Sequence, residues 1–351
     1  VTVNLSVPNA TNVGTVININ DFVGAGLVGD NLIGPNSPTT WTFTGADTGT
    51  VGGSIIFSAF ANVTGGSSAD IFDFTNVLGS ISGQVDGGPG GNNTMLSPAI
   101  ANTWTITGRN AGDLNFNNFV RVQNLTGNTL ADDFFFLNGA NITGTINGIA
   151  GATNTFNYSL FTSSASVDLT SMTATGAAIF FNIDTFIGNP AAQNTIKGPN
   201  VANVWTTSAL NAGTITNTFE TGTQTFTDFE NITGSAQNDT FYITVGGISG
   251  TVDGGFGGTN TLDYNTFPYG AQTDVNLATG SAPNTGFIRN INNIIGDSAF
   301  SAVNTLTGPT ASSTWSFSGA DSGAITNSVE TTFSFFTQMV GGSNQDTFDL
   351  R

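Results

Sequence analysis

Four copies of one segment, each ending in tryptophan, recur along the chain. They read DNLIGPNSPTTW (30–41), NTMLSPAIANTW (93–104), NTIKGPNVANVW (194–205) and NTLTGPTASSTW (304–315). The copies begin 63, 101 and 110 residues apart, so the first interval lacks a whole internal section while the pattern around it survives. A chain that tolerates such a loss is built from units smaller than about 100 residues, which is typical of repeat proteins whose units stack in one direction.

Short alternating stretches bounded by Gly, Asn or Asp fill the intervals between the tryptophan segments. Such stretches are typical of strands, and they follow one another at intervals of about 20 residues with no helical segment between them. The sequence therefore predicts an all-β, right-handed parallel β-solenoid of the β-helix or β-roll kind, built from imperfect tandem repeats. Tandem β-sandwich modules are the alternative.

The predicted array is continuous over residues 1–351. It comprises the end of a preceding repeat (1–29), a short repeat (30–92), two longer repeats (93–193 and 194–303) and a truncated repeat (304–351). Because the chain opens inside a strand-like VTVNL with no initiator Met or signal peptide, we expect it to be a piece of a longer protein.

Alternation with period two assigns the aromatic residues to the core. Trp41 and Phe43 alternate with Thr, and Phe72 and Phe74 repeat the pattern. An Asn precedes a Thr at five places where the chain turns into a strand. These residues are predicted to stack and hydrogen-bond along the axis of the solenoid: Asn93, Asn154, Asn194, Asn260 and Asn304.

The strongly negative net charge limits which kinds of molecule the chain can bind. The chain has 23 acidic and 5 basic residues, a net charge of −18, and neither His nor Cys. Scarcity of Lys and Arg disfavours nucleic acid and anionic membrane surfaces, which both require clustered positive charge. No apolar run of about 18 residues occurs, so no helical membrane span is predicted. Without Cys there are no disulfides or thiolate metal sites.

The phrases GGSNQDTFDL (341–350), DGGFGGTNTLDY (253–264) and DVNLATGSA (274–282) resemble haemolysin-type (RTX-like) repeat proteins and the large β-strand-repeat surface proteins and adhesins of bacteria. In that family, tandem Gly-Gly-x-Gly-x-Asp-x-hydrophobic-x units form a parallel β-roll. Calcium lies between its turns, held by the Asp and by glycine carbonyls. The resemblance covers the whole chain as a pattern, but it is specific only in these phrases.

The resemblance implies a set of calcium ligands. The first four are Asp70, Asp133, Asp239 and Asp346, followed by Asp86 and Asp253. Each motif departs from the family pattern: Ser68 and Asn344 replace the third Gly, and Asn93 and Asn260 stand where an Asp is expected. The motifs are also solitary, whereas calcium needs six to eight oxygens from adjacent turns. We therefore expect that no cofactor is required, with calcium at a few degenerate sites as the alternative.

Catalysis is not expected. Ser-His-Asp and Cys-His sites are excluded by composition, and the carboxylate pairs Asp132/Asp133 and Asp228/Glu230 lie in repeat elements whose other copies lack one partner.

The sequence favours a structural segment of a large secreted bacterial surface protein, either an adhesin, an extracellular fibre or a matrix component. The alternative is a calcium-dependent carbohydrate-binding or carbohydrate-degrading solenoid. We expect an extracellular location at the cell surface. The expected partners are copies of the chain joined end to end, cell-surface glycans and host surfaces.

Overall fold

The regular structure is entirely strand in the computed structural model, which describes residues 1–217, 222–265, 272–299 and 303–350. Arg351 lies outside the described residues. The strands of the first part are β1 (Thr2–Asn4), β2 (Asn9–Ala10), β3 (Val13–Thr15), β4 (Asp21–Val23), β5 (Asn31–Ile33), β6 (Thr39–Gly45), β7 (Thr48–Val51), β8 (Ile55–Ser58), β9 (Asn62–Thr64), β10 (Asp70–Asp73), β11 (Gln84–Asp86), β12 (Thr94–Leu96), β13 (Asn102–Gly108), β14 (Ala111–Leu114), β15 (Asn117–Val120), β16 (Asn124–Thr126), β17 (Asp132–Phe136), β18 (Ile142–Asn147), β19 (Thr155–Asn157) and β20 (Ser166–Asp168).

The remaining strands are equally short. They are β21 (Thr173–Ala174), β22 (Ala177–Phe181), β23 (Thr185–Ile187), β24 (Thr195–Lys197), β25 (Asn203–Ala209), β26 (Ala212–Asn217), β27 (Gln224–Thr227), β28 (Asn231–Thr233), β29 (Thr240–Tyr242), β30 (Ile248–Asp253), β31 (Thr261–Asp263), β32 (Asp274–Asn276), β33 (Thr285–Arg289), β34 (Asn293–Ile295), β35 (Thr305–Thr307), β36 (Thr314–Gly319), β37 (Ser322–Thr326), β38 (Glu330–Ser334), β39 (Gln338–Val340) and β40 (Thr347–Asp349).

The chain forms two compact units. Unit 1 is Val1–Ser163 with Met172–Thr185, and unit 2 is Ser164–Ser171 with Phe186–Arg351. The predicted repeat 93–193 contributes to both units.

Parallel ladders organise unit 1. The strands β1, β5, β9, β11 and β15 pair in that order, all parallel. A second parallel ladder runs through β6, β10, β12, β16, β18 and β22, and a third through β13, β17 and β19. Successive strands of the chain alternate between ladders, so each ladder gains a strand once per winding of the chain. We call one such winding a coil.

Unit 2 has the same construction. One parallel ladder joins β20, β24, β28, β30 and β33, and another joins β25, β29, β31, β34 and β38. A third ladder joins β32, β35 and β39. Hydrogen bonds between neighbouring coils join residues that are from 20 to 40 positions apart in the sequence, so coil length varies twofold.

Each tryptophan strand is the first strand of an antiparallel meander. The tryptophan strand folds back on the next strand, which folds back on a third: β6–β7–β8, β13–β14–β15, β25–β26–β27 and β36–β37–β38. The first turn of each meander has a residue with positive φ, namely Asp47, Asn110, Asn211 or Asp321. Asp and Asn tolerate this left-handed conformation better than other non-glycine residues. The predicted solenoid was expected to be parallel throughout. These meanders depart from that expectation, as do the antiparallel pairs β1–β2, β2–β3 and β21–β22.

The tryptophans form one aromatic arrangement four times. Trp41, Trp104, Trp205 and Trp315 are all fully buried, as the alternation predicted. Each ring stacks on an aromatic ring of the next coil, Phe72, Phe134, Phe241 or Phe348, with centroids 5.0 to 6.0 Å apart. A Phe of the third meander strand meets each Trp edge-on. Each buried ring stabilises the stack by about 1.5–3 kcal/mol.

These features confirm an all-β, solenoid-like fold with mostly parallel sheets. Parallel ladders reach six strands in unit 1 and five in unit 2, and tandem antiparallel sandwiches would not form them. No helix long and apolar enough to cross a membrane occurs in the described part of the chain.

Candidate functional site

The five asparagines predicted to stack are buried between coils, with at most 1% of their surface exposed. Asn93 shows the arrangement. Its Oδ1 accepts the Asp70 N–H of the preceding coil at 2.9 Å. Its Nδ2 donates to Gly87 O in its own turn at 2.8 Å and to Arg121 O in the following coil at 3.0 Å. One amide therefore ties three successive coils together.

The other four asparagines make the same three-way connection. Each Oδ1 accepts a backbone N–H from the coil before, and each Nδ2 donates to a carbonyl of its own turn and to one of the coil after. The acceptors in the following coil are Asn182 O for Asn154, Asp228 O for Asn194, Asn290 O for Asn260 and Phe335 O for Asn304. The predicted hydrogen bonding of these residues along the axis is confirmed.

Backbone geometry at the accepting carbonyl explains the first glycine of the turns VDGGPGG (85–91) and VDGGFGG (252–258). The accepting residues Arg121, Asn182, Asp228, Asn290 and Phe335 have φ between 54° and 62°. Their carbonyls press against a glycine of the preceding coil. A Cβ on Gly87 would lie 2.0 Å from Arg121 O, and a Cβ on Gly254 would lie 2.0 Å from Asn290 O. Glycine is needed there because two backbones meet.

The carboxylates of Asp70, Asp239 and Asp346 occupy a second repeated position. Each accepts a backbone N–H from its own turn on Oδ2, with donors Gly66, Ser235 and Gly342 at 2.6 to 2.7 Å. Each accepts a second backbone N–H from the preceding coil on Oδ1, with donors Thr39, Asn203 and Ser313 at 2.9 to 3.0 Å. These carboxylates bridge two coils by accepting hydrogen bonds.

In the remaining copy this position belongs to Asp132 rather than to Asp133. The Asp132 Oδ2 accepts the Asn128 N–H at 2.8 Å, and its Oδ1 accepts from Asn102 Nδ2 at 2.7 Å. Asp133 lies in the outward row of the ladder, between Thr103 and Thr155. Successive residues of a strand face opposite sides, so a shift of one position moves the side chain out of the stack.

Asp86 and Asp253 are paired with basic side chains. Arg121 Nε donates to Asp86 Oδ1 at 2.5 Å, and its NH2 group donates to Asp86 Oδ2. Arg289 Nε donates to Asp253 Oδ2 at 2.7 Å. Both aspartates also accept a backbone N–H two residues further on. A guanidinium of the next coil thus provides the positive charge at these two sequence-predicted sites.

Burial sets the protonation behaviour of the bridging aspartates. Burial raises the pKa of Asp70 to about 6, although hydrogen bonds from Gly66 and Thr39 act in the opposite direction. The pKa values of Asp132 and Asp239 are also raised by burial. The hydrogen bond from the Ser313 side chain lowers the pKa of Asp346, which accepts equivalent backbone hydrogen bonds but is only half-buried. Carboxylates at the same repeat position therefore differ in pKa because their side-chain donors and their burial differ.

The tryptophan nitrogens distinguish the four copies further. Trp104 Nε1 donates to Asp132 Oδ1 at 3.3 Å. The Nε1 atoms of Trp41, Trp205 and Trp315 are buried and have no hydrogen-bond partner among the described residues. Within that part of the chain, the indole donates to the carboxylate in the repeat at residues 93–104 and not in the other three.

A second row of asparagines lies in three Asn-x-Thr sequences, the acceptor pattern for N-glycosylation, at residues 62–64, 124–126 and 231–233. Asn124 Oδ1 accepts the Thr145 N–H at 3.0 Å, and its Nδ2 donates to Asn93 O at 3.2 Å. Asn62 and Asn231 make equivalent contacts with the neighbouring coils. A glycan on any of these amides would displace an inter-coil hydrogen bond, so the fold accounts for the Asn at this position.

The six sequence-predicted aspartates are not brought together. They lie in different coils, and no group of three or more acidic side chains suited to a metal ion occurs among the described residues. Comparison with protein-family models and with curated protein sequences finds no match for this chain. In the geometry of the site, amides and carboxylates join one coil to the next.

Proposed function

We propose that the chain is a structural segment of a large secreted bacterial surface protein, acting as a rigid acidic rod that presents surface for adhesion or assembly. The observation that carries this proposal is the use of the buried polar side chains. Asparagine amides and aspartate carboxylates are hydrogen-bonded from coil to coil at each repeat. These hydrogen bonds produce a stack in which each coil fixes the position of the next coil.

The outer surface supports the same proposal. The net charge is −18, and three of the basic side chains are paired with aspartates, in Asp86–Arg121, Asp168–Lys197 and Asp253–Arg289. The remaining negative charge keeps copies of such a segment soluble and apart along their sides. Contact between copies is then expected through the ends of the array.

A structural role without catalysis is part of the proposal. Asp132 is buried and bound to Asn102, Asn128 and Trp104, whereas the adjacent Asp133 faces outward. Glu230 is buried and accepts hydrogen bonds from the N–H and Nδ2 of Asn194. These carboxylates have structural partners, which favours scaffolding over acid–base chemistry.

Labelling of cells tests the proposal. Antibodies raised against the chain should bind intact cells of the organism that makes it and should detect the protein in the medium or a surface extract. A cytoplasmic enzyme of the same cells provides the control for leakage. Labelling that requires permeabilised cells would contradict the proposal.

A further inference from the structure

A groove of about 450 Å³ opens on the surface of unit 2. The turn at Gly255–Gly258 forms one wall, and the β37–β38 hairpin forms the other with Ile325, Asn327, Val329 and Thr331. Its volume lies within the range of about 300–1,000 Å³ that small-ligand sites occupy.

Phe256 is the unusual residue of this groove. It stands in the turn VDGGFGG, and 88% of its surface is exposed. The equivalent turn VDGGPGG has Pro89 in its place. No aromatic side chain of the described residues contacts the Phe256 ring. An exposed ring provides an apolar surface for a ligand that is itself partly apolar.

Free hydrogen-bonding groups lie beside this ring. Asn292 Oδ1 accepts the Asn260 N–H at 3.0 Å, and Asn327 Oδ1 accepts the Val329 N–H at 3.0 Å. The Nδ2 groups of both asparagines donate to no atom of the described chain. The groove therefore combines an aromatic surface with fixed amides that can still donate.

No ionisable side chain lines the groove among the described residues. Arg289 precedes the lining residue Asn290 in the sequence, and its guanidinium is paired with Asp253. In the part of the chain that the structure describes, the groove therefore has no charged side chain that could pair with a cation or an anion, and the net charge of −18 repels anions. A ligand with both hydroxyl groups and C–H faces, and without charge, fits it best.

We propose that this groove binds neutral oligosaccharides, with the Phe256 ring stacked on a sugar face and the amides of Asn292 and Asn327 donating to sugar hydroxyls. The proposal deepens the surface-protein function and rests on it, since it names the class of surface that such a segment would contact.

Saturation-transfer NMR and titration calorimetry on the full chain test the site. The probes are cellotetraose, tetra-N-acetylchitotetraose and, as a charged counterpart, tetragalacturonate. Saturable binding of at least one neutral probe is expected, with a weaker or undetectable response to tetragalacturonate. Phe256→Ala should reduce the affinity at least tenfold. Phe116→Ala is the matched control, because Phe116 is also 92% exposed but lies in unit 1, outside the groove.

Asn327→Asp is a second variant that preserves the turn. The aspartate keeps an oxygen to accept the Val329 N–H, while the free Nδ2 donor is replaced by an oxygen. We expect a several-fold loss of affinity with an unchanged melting temperature. Failure of both neutral probes to bind, or equal binding by wild type and Phe256→Ala, would overturn the groove proposal. Because surface labelling of cells does not depend on Phe256, that result would leave the proposed surface location standing.

Discussion

Asparagine and aspartate differ by one group, an amide nitrogen in place of a carboxylate oxygen, and they occupy different positions in the coils. An asparagine both accepts and donates, so Asn260 can face an N–H of one coil and a carbonyl of the next. An aspartate accepts only, so Asp239 stands where two N–H groups converge. Asn93 and Asn260, which stand where the calcium-binding motif has Asp, are therefore required by the hydrogen bonds of the stack.

Replacing Asn260 by Asp tests this assignment. The change removes the Nδ2 donor, leaves Gly257 O and Asn290 O without it, and places a carboxylate against them. We expect the free energy of unfolding to fall by about 1–3 kcal/mol or more, measured by chemical denaturation at pH 7. Asn18→Asp, at an exposed position, is the control and should change little. Equal stability of the two variants would show that the Asn260 amide is not needed.

Asp70 gives a prediction about pH. Its pKa is about 6 in the folded chain against 3.8 for the free side chain. Between these pH values the folded state retains a proton that the unfolded state has released. The stability contributed by Asp70 is therefore present below pH 3.8 and falls as the pH rises towards 6.

The side-chain carboxyl of Asp70, followed by NMR, should titrate well above 3.8. The fall in stability between pH 4 and pH 6 should be shallower in Asp70→Asn, whereas Asp21→Asn, at an exposed position, should keep the wild-type slope. Titration of Asp70 at or below 3.8 would contradict the burial argument.

Single elements show how the aromatic core and the polar turns are connected. Each tryptophan strand supplies a ring to the core and begins a meander, so one element joins the parallel ladder to the antiparallel one. The rings pack alike in all four copies. The indole nitrogen has a carboxylate partner in β13, whereas in β25 it has none among the residues that the structure describes. Equivalent elements can therefore differ by one hydrogen bond.

This difference makes a matched pair of substitutions informative. Trp104→Phe removes both ring volume and the hydrogen bond to Asp132, whereas Trp205→Phe removes similar volume and an unpartnered N–H. We expect Trp104→Phe to be the more destabilising by about 1 kcal/mol, the usual net contribution of a hydrogen bond. Thermal and urea denaturation of both variants measure it. A larger loss in Trp205→Phe would mean that packing differences outweigh the hydrogen bond.

The whole molecule combines a large negative charge with carboxylates that already have donors. In each of the turns of Asp70, Asp239 and Asp346, both oxygens accept a backbone N–H, and Asp86 and Asp253 face arginines. The stack is expected to be held by aromatic and aliphatic packing together with these hydrogen bonds, without an ion.

Calcium should therefore change the stability only weakly. At a calcium concentration equal to the dissociation constant of one partial site, mass action adds about 0.4 kcal/mol. The melting temperature in EDTA should lie within a few degrees of that in millimolar calcium. Magnesium at the same ionic strength separates general screening of the charge from specific binding. Collapse of the melting temperature in EDTA would show that the solitary motifs are true calcium sites.

Much of this architecture could be read from the residues alone, because it depends on local periodicity. The tryptophan repeat, alternation of Phe with Thr, and Asn before each strand predicted an all-β stack, its buried rings and its row of asparagines. Each of these features recurs at the same position of the repeat, so the assignment made for one copy supports the assignment made for the others.

Only the tertiary structure decided which neighbours the strands have and which face a side chain takes. Parallel and antiparallel strands share the same period of two, so alternation after Trp41 did not reveal the meander. The choice between Asp132 and Asp133 depended on strand register, since one position reverses the face. The groove brings Phe256 near Asn327, residues far apart in the sequence, because stacking of coils sets their distance and local sequence does not.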